Sequence, residues 1–414
     1  MKKFLKNYGF SIILLGSIIL GAIIGIIFGA KALVLKPFGD LFLNLMFMVI
    51  TPLVFFSVTS AISNMNGMKR LGKIMASTFL VFVCTALIAA VIAFIGAAII
   101  NPAKGIDYSS LKKIVSSSDA VKQVKHVGML QQLVNTVTVS DFMSLFSKSN
   151  MLQLIVFSIL FGISTAMLGE KAKPVSKFLE AASGVMMRMV KIIMYYAPIG
   201  LACYFATVIG TLGPQILEGY IRVFVLYIII AVVYYVGFFT LYAFLSGGKS
   251  HVRIFWKNAV APTVTALATC SSAASIPVNL EYSKKMGVPE DIAETVIPLG
   301  ANIHKDGSVI GGVMKVTFLF GLFGMNMTSL SSIVSIIFVS FLVGAVMAAI
   351  PSGGMIGEML ILSVYGFPSE LLPIIAVISV IIDAPATVLN STGNTVCSMM
   401  ISKLVEGKNN KLSN

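Results

Sequence analysis

The sequence predicts an all-α polytopic membrane protein, and three observations carry that reading. Of 414 residues, 57% are hydrophobic and only 11% charged, with a mean hydropathy of +0.96, whereas a soluble chain is about 25% charged. The apolar residues come in runs at 10–28, 41–58, 74–100 and 220–245, each close to the roughly 20 residues a helix needs to cross a hydrocarbon core. These runs are apolar on every face, whereas transmembrane strands are about ten residues long and alternate polar with apolar. A soluble enzyme is excluded.

Lys2, Lys3 and Lys6 precede the first span, which is long and lacks a small-residue cleavage site, so it reads as a retained helix. Lys69, Arg70 and Lys73 follow the second span, Lys171, Lys173 and Lys177 the fourth, and Lys249, Arg253 and Lys257 the sixth. Connections 211–219, 324–332 and 366–371 carry no Lys or Arg. The positive-inside rule therefore puts both termini in the cytoplasm of a plasma membrane, and the short-looped, lysine-rich chain suits a bacterial inner membrane. The basic outer loop 103–150 departs from the rule, which long loops obey less well. The net charge of +14 thus reads as topology and attraction to membrane lipid, with no nucleic-acid partner. Cys84, Cys203, Cys270 and Cys397 are scattered and read as packing residues. Arg188, Lys191 and Lys315 are charges in apolar surroundings that read as snorkelling or boundary residues.

From residue 251 the apolar segments are interrupted in their middles, which membranes tolerate only where protein or a water-filled cavity satisfies the backbone. A hairpin (251–287) with its tip at 270–277 precedes a span (290–324) broken at 302–308. A second hairpin (329–366) with its tip at 349–354 precedes a last span (371–406) broken at 383–394. Lys249, Lys257, Lys284 and Lys285 put the first hairpin's base inside; the second base, without Lys or Arg, falls outside. Inverted repeats with discontinuous helices are the mark of a secondary transporter, with its substrate held where the repeats meet.

Motifs along nearly the whole chain then carry a resemblance. They are Pro52-Leu53-Val54-Phe55, Leu71-Gly72, Asn101-Pro102, Tyr196-Ala197-Pro198-Ile199-Gly200, Ser271-Ser272, Pro298-Leu299-Gly300-Ala301, Asp306-Gly307-Ser308 and Asn390-Ser391-Thr392-Gly393. The chain resembles the dicarboxylate/amino acid:cation symporter family, the glutamate transporter homologues. The resemblance implies eight transmembrane helices, two re-entrant hairpins, a homotrimer and an elevator-type fold. Residues 1–250 would form the scaffold, with the third and sixth spans moving with the core, 251–406 the transport core, and 407–414 a cytoplasmic tail.

Asp383 is an ionisable group inside the last span, costly unless it faces a cavity or a partner. Asp383, Thr387 and Asn390 share one helix face; by similarity Asp383 holds a substrate α-amino group and Asn390 the α-carboxylate. Ser271, Ser272 and Ser308 at the first tip and the unwound motif, with Pro351 and Gly354 at the second tip, complete the expected substrate set. Ala386 and Cys270 stand where relatives carry arginine, so the sequence predicts a small neutral amino acid, with acidic amino acids or C4-dicarboxylates as the alternative if Lys305 substitutes.

The family's Asn-Met-Asp-Gly-Thr appears as His304-Lys305-Asp306-Gly307-Ser308. Asn394 replaces a sodium-ligating aspartate, Met347 a threonine and Ala86 a serine. Thr85, Gly300, Asp306 and Asn394 are remnants of sodium sites, with no complete metal site. The sequence therefore predicts Lys305 as a tethered cation near Asp306, Asp383 or Glu358, and transport that is sodium-independent, coupled to protons through Lys305, His304 and Glu358 or running as exchange. No cofactor is expected beyond sodium or a proton as coupling ion. Two rival classes are an intramembrane hydrolase using a Lys305–Ser308 dyad, which lacks a Gly-x-Ser-x-Gly elbow, and an ion channel.

Overall fold

The computed structural model describes residues 2–63, 69–103, 138–147, 150–212, 215–347, 354–368 and 371–407, and all regular structure among them is helical. Most of the outer loop, the tail beyond residue 407 and the second hairpin tip, Pro351 included, lie outside the described residues.

Helix α1 (Lys2–Phe28) passes through a 3-10 segment (Gly29–Leu35) into α2 (Lys36–Ser63), and α3 (Lys69–Ile99) follows. Beyond the outer loop come α4 (Met151–Met167), α5 (Lys173–Ile193) and α6 (Ala197–Leu212). Helix α7 (Gln215–Val233) continues through a π turn (Tyr234–Phe238) into α8 (Phe239–Gly247). Helix α1 lies along α6, and α2 sits among α4, α5 and α6. Gly21 and Gly25 let α1 close on α6, since a Cβ at either would fall within 2.6 Å of the Ala202 or Ala206 carbonyl oxygen. Small residues set helix spacing in this way where lipid supplies no hydrophobic drive. Arg188 and Lys191 on α5 are exposed.

The second half comprises α9 (Lys249–Asn258), α10 (Val260–Thr269), α11 (Ser272–Lys285), α12 (Glu290–Ile303), α13 (Asp306–Leu322), α14 (Leu330–Val346), α15 (Gly354–Tyr365) and α16 (Leu372–Glu406). Helices α10 and α11 pack together as the first hairpin, α14 and α15 as the second, and α13 and α16 run between them. Two early spans, α3 and α7–α8, pack against α16.

Among the described residues, four helical runs are long and apolar enough to cross a membrane: Gly16–Leu45, Gly72–Ile99, Ile216–Gly247 and Leu372–Glu406. A pair bent by 62°, Gly169–Ile193 with Ala197–Thr211, would make a fifth. The eight spans implied by the resemblance are not returned by length and apolarity alone, because the first run, Gly16–Leu45, takes in parts of both α1 and α2, and α4, α12 and α13 are each too short.

Three expected interruptions differ. The last span is not broken at 383–394, because α16 is continuous from Leu372 to Glu406 with Pro385 inside it. A proline withholds one N–H, and the other polar residues of that stretch act through side chains, leaving the ladder intact. The first tip is only Cys270–Ser271, since Ser271 accepts a hydrogen bond from the Ala274 N–H at 3.3 Å and starts α11 one residue later. Cys270 reverses the chain at φ 47°, the one non-glycine residue in the left-handed region among those described. The break expected at 302–308 shrinks to His304, which is extended, and Lys305, at φ −140° and ψ 63°.

Candidate substrate and cation site

The site is built on that two-residue break. Asp306 opens α13, where the helix N-terminus favours a carboxylate. The next residue has no side chain for a reason of space: a Cβ on Gly307 would fall 2.4 Å from the Ala386 carbonyl oxygen, so α13 begins in contact with α16. The Tyr227 hydroxyl donates to the Gly307 carbonyl at 2.9 Å.

His304 is buried and gathers one group from each of four helices. Its N–H donates to the Gly300 carbonyl at 3.0 Å. Its Nδ1 lies 2.8 Å from Asn394 Oδ1, and its Nε2 lies 2.8 Å from Thr85 Oγ1 and 3.1 Å from Asp306 Oδ1. The ring stacks on Phe82, centroids 4.1 Å apart. Asp306 Oδ2 accepts from the Tyr234 hydroxyl at 2.9 Å, and Oδ1 has no hydrogen bond among the described residues. Thr85, Gly300, Asp306 and Asn394, the remnant sodium-site residues, thus converge on His304 rather than on Lys305.

Lys305 points elsewhere. Its buried Nζ donates to Ser272 Oγ at 3.4 Å and interacts electrostatically with Asp383. Of the three expected partners it is near Asp383 and forms no ion pair with Asp306 or Glu358; the side chain that faces Asp306 is His304. The Asp383 side chain is exposed and accepts no hydrogen bond among the described residues. Thr387 lies one turn on and is buried. Asn390 Oδ1 accepts from the Ser308 N–H at 3.2 Å and its Nδ2 donates to Ser308 Oγ at 3.0 Å, tying α13 to α16. The Ser271 hydroxyl is spent on capping α11. Gly354 brings α15 against Ser379 of α16. Ser308 and Lys305 are not hydrogen-bonded to one another, which leaves the hydrolase dyad without its geometry.

Glu358 also stands apart from His304. It pairs with Lys315 at 3.1 Å, and the Ser379 hydroxyl donates to the same Oε1. Among the described residues no three His, Cys, Asp or Glu side chains gather as a metal site.

The family model for the sodium:dicarboxylate symporters matches residues 10–404. The chain belongs to that family. It is 31% identical over 406 residues to the "Proton/sodium-glutamate symport protein" of Bacillus caldotenax, covering 95% of this chain and 94% of that one. It is 28% identical over 410 residues to the "C4-dicarboxylate transport protein" of Bacillus subtilis (strain 168), covering 97% and 94%. A third relative, the "C4-dicarboxylate transport protein" of Rhizobium etli, is 29% identical over 384 residues, covering 86% and 83%. This family member is therefore a multi-pass membrane protein of a secondary-symport family.

Sequence reasoning about this symporter-family chain missed Phe82, Tyr227, Tyr234, Tyr242, Lys315 and Ser379. Tyr234 and Tyr242 hydroxyls are 3.0 Å apart beneath Asp306. The available signal was three tyrosines at intervals of seven and eight in one apolar span, on a common helix face once the π turn absorbs the extra residue. For Lys315 it was a charge in a transmembrane run, with Glu358 in another.

Proposed function

We propose that the protein is a secondary active transporter of a small, neutral, zwitterionic amino acid. The observation that carries this is a pair of opposite charges near one another: one carboxylate, Asp383, without a hydrogen-bonding partner among the described residues, and one ammonium, Lys305, beside Ser272. One charge of each sign matches an α-ammonium and an α-carboxylate and leaves no cation for a third charge. Burying a side-chain carboxylate unpaired would be prohibitive, and Ala386 offers nothing to meet it. The protein would sit in a plasma membrane with both termini cytoplasmic, as a homotrimer in which residues 251–406 move against residues 1–250 in an elevator-type step.

Uptake of labelled serine, alanine and aspartate into proteoliposomes, with sodium and pH gradients imposed separately, tests this. Serine or alanine taken up against its gradient supports it. Aspartate or succinate taken up in their place favours the second reading, drawn from the relatives named for glutamate and C4-dicarboxylates, in which Lys305 receives the extra carboxylate. Passive current without substrate would instead indicate a channel.

A further inference from the structure

We infer that the His304 side chain fills the place of a coupling sodium ion, so that this chain takes no sodium at Asp306. The inference rests on the family reading of the fold and is independent of which substrate is carried.

The imidazole sits where the oxygens converge. Asn394 Nδ2 donates to the Asn390 carbonyl at 2.9 Å, which turns Oδ1 toward His304 Nδ1. On the other side of the ring, Thr85 Oγ1 lies 2.8 Å and Asp306 Oδ1 3.1 Å from Nε2. His304 is the basic side chain that meets the fully buried Asp306 among the described residues.

The same atoms do not fit sodium. Hard cations need several oxygens turned inward on one point. Here Thr85 Oγ1, Asp306 Oδ1, Asn394 Oδ1 and the Gly300 carbonyl are each turned to an atom of His304. The cradle is also shaped for the ring. A Cβ on Gly300 would fall 2.3 Å from Asn394 Oδ1 and 3.0 Å from Phe82, and one on Gly393 would approach both Phe239 and the imidazole. The group opposite Asp306 is therefore covalently attached and travels with the protein, whereas a sodium ion would be loaded and released in each cycle.

The test uses the purified full-length protein in lipid nanodiscs without substrate. Thermal unfolding is followed as sodium chloride replaces choline chloride at fixed ionic strength, for wild type and His304→Asn. The expected result is a wild-type unfolding temperature indifferent to sodium and a variant whose temperature rises with the logarithm of sodium concentration, as mass action requires of a native-state ligand. If the variant does not fold, the wild-type titration alone decides. A saturable sodium-dependent rise in the wild type, or a folded His304→Asn that ignores sodium, would overturn the inference. Uptake enters none of these readouts, so an error about the substrate leaves them unchanged.

Discussion

Lys315 and Glu358 form an ion pair at 3.1 Å in which neither side chain is more than 2% exposed, and it joins α13 to the return arm of the second hairpin. Glu358 Oε2 has no hydrogen bond among the described residues, so the carboxylate depends on Lys315 and Ser379. Removing one partner of such a pair costs about 3–5 kcal/mol, because the other charge stays buried alone, whereas replacing both by apolar groups is often neutral. Lys315→Met and Glu358→Gln should each lower the unfolding temperature steeply, and Lys315→Met with Glu358→Met should recover most of the loss. Equal losses in the singles and the double would show that the pair is not coupled.

Asp383→Asn should weaken amino acid uptake roughly 10- to 100-fold, the loss expected for one charge-assisted hydrogen bond. Competitors lacking an α-amino group should bind the variant and the wild type alike. Isothermal titration with serine and with lactate separates the two cases, and a variant that holds serine normally would remove Asp383 from the site.

Lys305→Met should raise the substrate dissociation constant by a similar factor while leaving the ion dependence of transport unchanged, because His304, not Lys305, faces Asp306. Dissociation constants with and without sodium decide it. Altered ion dependence at constant affinity would restore the lysine as the tethered cation.

Gly307→Ala should destabilise the protein by about 1–3 kcal/mol through overpacking, since the added methyl meets backbone rather than a movable side chain. Gly72→Ala, where a Cβ meets nothing within 4 Å, is the matched control. Thermal unfolding of the two variants reads the difference.

How much was legible follows from what each feature depends on. The spans, the two hairpins and the break before Asp306 depend on local composition, and the sequence carries them. Asp383, Thr387 and Asn390 share a face because helix period alone aligns them. The gathering of Thr85, Gly300, Asp306 and Asn394 was legible only as a set of family positions. Which of two adjacent residues met them was not, because His304 and Lys305 lie in the non-helical break between α12 and α13, where helix period no longer says which side chain faces α3. The break expected in the last span failed because polar side chains in a membrane helix mark what the helix faces, not where its backbone opens. Lys315 looked like a boundary charge because its partner lies 43 residues away on another element.

Among the described residues, the buried Lys315 and Glu358 stand as a couple whose opposite charges cancel. A unit charge crossing 100 mV gains or loses about 2.3 kcal/mol, so this pair adds nothing to the voltage dependence of any movement that carries α13 and α15 together, whereas either residue alone would.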